Sequence, residues 1–161
     1  MILYFLEPEV SGGHGEQTIH GTDEDVAKEG ISGNIKFLHY EFEGWLGDDL
    51  LESAPTFIIS SDLEEELKRS GMKDFKLQSC LITVSDVFME MYPTKELPSF
   101  TRFIPLGTVE IEGESFKNWS GNDFCISPKG ELVLTKKALD FLNKFSIKHC
   151  DITALRKKHI Q

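Results

Sequence analysis

The feature that most constrains this 161-residue chain is a run of apolar strand, hydroxyl residue, amphipathic helix and second strand that occurs twice, at residues 56–85 and 131–154. The first copy reads TFIIS, then SDLEEELKRSG, then FKLQSCLITV; the second reads ELVLT, then KKALDFLNKF, then HCDI. Each puts a Ser or Thr where the strand stops (Ser60, Thr135) and a Leu seven residues on (Leu67, Leu142). A short side-chain oxygen at such a point accepts from the unpaired N–H groups of the first helical turn. Ser61 and Glu64 have the S-x-x-E form of a capping box. Leu63 and Leu67 share one helix face, Glu64–Lys68 and Glu65–Arg69 are i,i+4 pairs in the favourable order, and Gly71 suits the C-terminal cap. In the second helix Ala138, Phe141, Leu142 and Phe145 recur at i, i+3, i+4 and i+7, a stripe that faces a core. These patterns predict a single α+β domain over 1–161, with a mixed or mainly antiparallel sheet of about six strands and two main helices packed on it. A degenerate twofold repeat of the two units is the alternative, since Ser60 to Cys80 is 20 residues and Thr135 to Cys150 is 15.

Around these units, residues 2–6 read as a strand, and 7–33 as a long irregular loop carrying Pro8 and six glycines. Gly12-Gly13 and Gly15 lack the Lys and the following helix of a phosphate cradle. Residues 35–42 (IKFLHYEF) alternate, which points Lys36, Leu38, Tyr40 and Phe42 inward and leaves His39 and Glu41 on the solvent face. Asp48 is placed to cap a short helix through Leu50 and Leu51, and Ser85 to cap another over DVFMEMY. Residues 112–122 form a polar loop carrying Trp119, and 155–161 (LRKKHIQ) a basic, frayed tail.

Composition narrows the function. With 40% hydrophobic and 27% charged residues, the chain is of the soluble globular class. No apolar run approaches the roughly 20 residues that cross a bilayer, and MILYFLEPEV has no basic n-region, so it is not a signal peptide. Cys80, Cys125 and Cys150 form no CxxC, which argues for reduced core thiols and a cytoplasmic protein. Net charge is −10 and lopsided: residues 1–70 carry 16 Asp/Glu against 4 Lys/Arg (−12), and 71–161 carry 11 against 13 (+2). An acidic half repels nucleic acid and anionic membranes and draws in basic partners.

Candidate chemistry is thin. His39, Glu41 and Glu43 share a strand face, but no further His or Cys falls at ligand spacing, and a solvated face explains them. His149-Cys150-Asp151 resembles a triad only on paper, because neighbours on a strand point to opposite faces. His14 and His20 lack a third ligand. No catalytic residue, metal ligand set or cofactor is therefore expected. Trp45, between Gly44 and Gly47, is different: Glu41, Glu43, Asp48, Asp49 and Glu52 crowd around it, and an aromatic ringed by charge is the composition of an interface anchor.

Five segments in order, LEPEVSGGHGEQT, LHYEFEGWLGDDLLES, FIIS, MYPTKELPSF and DFCIS…LVLTKKALDFLNKFSIKHCDI, resemble a family of small bacterial immunity proteins of polymorphic toxin systems. YEFEGWLGDDLLE is the most distinctive piece and LNKFSIKHCDI the next. The resemblance implies a non-catalytic protein that binds and neutralises a cognate toxin encoded beside it. It names no catalytic residue. The alternative is a small hydrolase or ligand-binding enzyme with its site between the 7–33 loop and the His39 strand.

Overall fold

The computed structural model describes residues 1–159. In chain order its elements are β1 (Ile2–Glu7), β2 (Gly12–His14), β3 (Ile19–His20), α1 (Asp23–Glu29), a 3₁₀ turn (Gly30–Asn34), β4 (Ile35–Phe37), β5 (His39–Phe42), β6 (Leu50–Ser53), β7 (Thr56–Ser60), α2 (Ser61–Arg69), β8 (Phe75–Gln78) and β9 (Leu81–Val84). After these come α3 (Asp86–Met91), β10 (Phe100–Pro105), β11 (Gly107–Thr108), β12 (Glu110–Glu112), β13 (Ser115–Lys117), β14 (Phe124–Ile126), β15 (Leu132–Leu134), α4 (Lys136–Leu142) and β16 (Asp151–Lys157).

A seven-stranded sheet has the order β11-β14-β15-β1-β16-β13-β12, and a four-stranded sheet the order β6-β7-β10-β8. Alternate residues of their central strands enter different cores, which is why the strands are apolar throughout. Phe57 and Ile59 of β7, with Leu132 and Leu134 of β15, meet α2 and α4 in the central core. Ile58 and Leu51 face a second core under β5, β9 and α3, and Val133, Leu3 and Cys125 a third beside β13. The layers therefore run from the second core through the four-stranded sheet, the two helices and the seven-stranded sheet to the third core. The central core keeps a void of only about 10 Å³ among Leu63, Leu67, Phe103, Phe124 and Leu142.

The two strand–helix–strand units have the same plan. β7 and β8 both pair antiparallel with β10, which lies between them; β15 and β16 both pair antiparallel with β1. In each case a hairpin precedes the helix, β6–β7 or β14–β15. The match extends upstream to a Trp-x-Gly-Asx-Asp turn, Trp45 to Asp49 and Trp119 to Asp123. Both indole N–H groups donate to the carbonyl three residues on, Trp45 to Asp48 (2.9 Å) and Trp119 to Asn122 (3.0 Å). Both Asp residues accept from the helix-capping hydroxyl: Ser60 Oγ to Asp49 Oδ1 (2.7 Å), Thr135 Oγ1 to Asp123 Oδ1 (2.6 Å). Both Asp carbonyls accept from the N–H of that same residue, at 2.9 and 3.1 Å. The twofold repeat is thus longer than its strand–helix–strand part and held by identical bonds.

Several expectations need correction. The α+β class holds, but in place of one sheet of about six strands with two main helices there are four sheets and four α-helices among the described residues. One reason is that 35–42 breaks at Leu38 and 75–84 after Gln78, so each run contributes strands to two sheets. Another is that 7–33, read as irregular, holds β2, β3, the 3₁₀ turn and α1, whose N-cap Thr22 forms a capping box with Asp25. Its glycines serve close packing: a Cβ on Gly15 would lie 2.2 Å from the His39 ring. Leu50 and Leu51 are in a strand, not a short helix. The N-cap of α2 is Ser60, not Ser61, and Glu64 turns instead to Lys68 (3.3 Å) and Thr101 Oγ1 (3.1 Å). Arg69 pairs with Glu66, not Glu65. Leu155–Lys157 of the supposed frayed tail belong to β16, paired with β1 and β13; 160–161 lie outside the described residues.

Two substitutions test this architecture. Ser60→Ala should cost about 1–2 kcal/mol by removing both a cap and the bond to Asp49, whereas Ser61→Ala should stay within about 0.5 kcal/mol. Leu142→Ala should cost about 2–5 kcal/mol by opening a cavity in the central core. Urea titrations read all three, and equal midpoints for the two serine variants would remove the cap assigned to Ser60.

Candidate functional site

The first Trp-x-Gly-Asx-Asp turn joins segments far apart in sequence. Asp49 Oδ2 accepts from Ser146 N (2.8 Å), and Asp49 N donates to Ser146 O (2.7 Å), which fastens the start of β6 to the end of α4. Asp48 is wholly buried. Its Oδ2 accepts from His149 N (2.8 Å), and its Oδ1 faces Ser146 Oγ (3.3 Å) and His149 Nδ1 (3.1 Å). Glu9 reaches the same point from the β1–β2 link, with Oε1 3.9 Å from His149 Nδ1. Its Oε2 accepts from Leu46 N (3.0 Å) and from Ser11 Oγ. Thus the two most distinctive segments of the sequence, YEFEGWLGDDLLE and LNKFSIKHCDI, meet at one cluster.

Beside the cluster opens a cavity of about 600 Å³ whose wall carries Glu7, Glu9, Glu52, Glu131 and Asp151 against Lys129 and His149. The electrostatics follow from that imbalance. Burial, and then repulsion from Glu7 and Glu131, pushes the Glu52 carboxyl up to about 7. Burial, reinforced by Asp48 and Asp151, pushes the Cys150 thiol up to about 12, so Cys150 is a protonated, poor nucleophile. Tyr40, also pushed up to about 12 by burial, bridges Ser11 N (3.0 Å) and Glu52 O (3.2 Å) beneath.

The outer side of the turn has another character. Trp45 is half-buried, set edge-on against Phe100 with centroids 6.1 Å apart. Lys95 Nζ donates to Trp45 O (2.6 Å) and lies over both the Trp45 ring (5.5 Å) and the Tyr92 ring (4.8 Å). That contact brings the end of α3 to the same corner. Leu46 of the turn is 63% exposed, and on α3 Val87, Met89 and Met91 are 55–62% exposed, next in sequence to the exposed acids Asp86 and Glu90.

Of the six residues singled out around Trp45, Glu43 is exposed and Glu41, Trp45, Asp49 and Glu52 are partly covered. Asp48 corrects the expectation of a surface contact: it is internal, held by the 146–149 segment rather than by solvent. His39 is a second correction. It is buried, with Nε2 2.6 Å from Thr83 Oγ1 and Nδ1 accepting from Gln17 N (3.1 Å), because Gly15 closes over the ring. It lines neither of the two large cavities. The larger, about 1060 Å³, lies between α1, the 3₁₀ turn and β10, with Arg102 in its wall. Arg102 is 1% exposed and donates to Ile35 O (2.7 Å), Ser32 O (3.0 Å) and Gln78 Oε1 (3.0 Å), while its Nε has no partner among the described residues.

Sequence reasoning missed Glu9 and Arg102, and set His149 aside. The signal available for the first cluster was the repeat itself, since at Asp48 the first turn carries a carboxylate where the second has the amide of Asn122. Comparison with protein-family models and with curated proteins finds no match to this chain. Among the described residues, no helix is long and apolar enough to cross a membrane.

Glu52 supplies a pH test. A carboxyl raised from 4.5 to about 7 favours the fold while protonated; that contribution is complete below about pH 4.5 and is lost as pH rises through 7. At about 1.4 kcal/mol per tenfold change in proton affinity, discounted for partial exposure, the loss is about 1–2 kcal/mol. Glu52→Gln should therefore raise the urea midpoint at pH 8 and leave it near the parent's at pH 4.5. A variant with the same increment at both pH values would mean that Glu52 is not desolvated.

Proposed function

We propose that this chain is a non-catalytic, cytoplasmic immunity protein that occludes a cognate protein toxin with a basic surface. The observation that carries the reading is that Leu46 of the Trp45 turn and Val87, Met89 and Met91 of α3 are all left exposed, with the exposed acids Glu43, Asp86 and Glu90 near them in sequence. Large apolar side chains left in water invite a partner, and methionines adapt their shape to one. Acidic neighbours select basic surfaces and hasten encounter. The −12 charge of residues 1–70 adds a long-range field of the same sign. Glu41, Glu43 and the accessible face of Trp45 belong to this contact; Asp48 and Asp49 support it from within, and Glu52 borders its inner side. The resemblance to immunity proteins supports the toxin as the class of partner.

A ligand-binding enzyme is the second reading. It is favoured by the Arg102 cavity, whose wall holds a buried guanidinium with no hydrogen-bond partner for its Nε among the described residues. Residues within 25–33 and the start of the 35–42 run, Ile35 and Lys36, line it, but His39 does not.

The test is neutralisation. Co-expressed with the product of the adjacent reading frame, the chain should restore growth that the product alone arrests. Met89→Asp combined with Met91→Asp should abolish rescue while leaving the far-UV spectrum unchanged. With purified partners, association should slow markedly between low and physiological salt, and Glu43→Lys should act mainly on the on-rate. Full rescue by the double variant, together with salt-insensitive association, would remove this corner and its charge from the mechanism.

A further inference from the structure

We propose that Glu9, Asp48 and His149 form a binding site for a divalent transition-metal ion of the zinc class. The three donors come from the β1–β2 link, the Trp45 turn and the α4–β16 link, and one ligand atom from each lies within 4.8 Å of the other two. A zinc ion about 2.0–2.2 Å from each donor holds them about 3–3.5 Å apart. His149 Nδ1 and Asp48 Oδ1 are already at 3.1 Å, and Glu9 Oε1, 3.9 Å from Nδ1, closes the set by a small side-chain rotation.

Two further observations point to a cation. Glu9 is 7% exposed, and its Oε1 has no hydrogen-bond partner among the described residues although it faces the other two donors. A buried carboxylate oxygen without a donor is costly, and a bound cation is what satisfies it. The second observation is the repeat. In the other copy Asn122 stands where Asp48 does, and its Oδ1 is taken locally by Ser120 Oγ. The bonds that hold the turn, from the indole N–H and to the following Asp, are the same in both copies. The Asp48 carboxylate is therefore not needed to make the turn, and it points at His149.

The surroundings suit a ligated metal. His149 N (2.8 Å) and Ser146 Oγ (3.3 Å) orient the Asp48 carboxylate, as outer-shell donors orient ligands elsewhere. The 600 Å³ cavity supplies the open side, where water or a partner's side chain completes a tetrahedron around three protein donors. One imidazole with two carboxylates favours zinc and its neighbours over magnesium and calcium, which prefer all-oxygen sets. No sequence spacing advertises this site, because its ligands lie at positions 9, 48 and 149. The assignment does not rest on the toxin reading: the two share Asp48, but neither Glu9 nor His149 is used there and no residue of α3 is used here.

The test is calorimetric titration of the chelator-stripped chain with zinc chloride, and separately with magnesium and calcium chloride. One zinc per chain is expected at micromolar or tighter affinity, with a rise in Tm and no comparable binding of the other two ions. His149→Ala and Glu9→Gln should each weaken zinc at least about 100-fold, whereas His20→Ala, on an exposed histidine elsewhere, should not. The parent loaded with cobalt(II) provides a readout that needs no variant: visible bands of a tetrahedral nitrogen–oxygen site, with no thiolate charge-transfer band. Only millimolar zinc binding would overturn the proposal, leaving a plain His149–Asp48 ion pair. So would zinc binding that both variants retain, or a thiolate band placing Cys150 in the set.

Discussion

The bond between a turn carboxylate and the hydroxyl that caps the next helix is the interaction on which the rest of the structure depends. Asp49 with Ser60, and Asp123 with Thr135, each join the start of a hairpin to the first turn of the helix that follows it. A hydroxyl in that position donates to the carboxylate and accepts from the helix, Ser60 Oγ from Leu63 N and Thr135 Oγ1 from Ala138 N. One side chain thereby fixes where the hairpin begins and where the helix begins. With those points fixed, Leu63 and Leu67, and Ala138 and Leu142, face the same core. Tryptophans on the far side, Trp45 and Trp119, close the two outer cores in matching fashion.

The two copies then diverge. The second keeps its turn local, and its neighbours make up the outer sheet edge of β12 and β13. In the first, the carboxylate added at Asp48 and the second oxygen of Asp49 reach across to residues 146–149, which belong to the other copy. The repeat is therefore locked asymmetrically, with the polar cluster, the Trp45 corner and α3 all on one side. That asymmetry is where a duplicated scaffold acquires something to do.

How much of this was legible in the sequence follows from the kind of signal each part emits. Helices α2, α3 and α4 were, because apolar spacing and hydroxyl caps act within a turn or two; the misplacement of the α2 cap from Ser60 to Ser61 is the error that two adjacent serines invite. The 7–33 segment was not, because glycine reads as a breaker, whereas here it lets backbone approach the His39 ring and the β5 carbonyls. His39 looked solvated by alternation, which assumes that one face of a strand meets water; the loop that follows β2, through Gly15 and Gln17, covers the ring. Glu9, Asp48 and His149 lie too far apart in sequence for any spacing rule. Arg102 carried no signal, because nothing local tells of carbonyls at Ser32 and Ile35 waiting for it. The Trp-x-Gly-Asx-Asp pair was on the page throughout, but only hydrogen bonds show which of its letters matter.

Each copy also needs a strand that it does not contain, and this bears on how the chain emerges during synthesis. The four-stranded sheet receives β10 soon after β7 and β8, so it is complete once Pro105 has appeared. β1 is made well before both its partners, β15 and β16, which follow all the other strands. An apolar strand with two open edges must therefore wait, unpaired, while all the elements between it and β15 are made. Such an edge is a template for wrong pairing. The acidic residues of 7–70, made immediately after it, give the waiting chain a charge that keeps like chains apart.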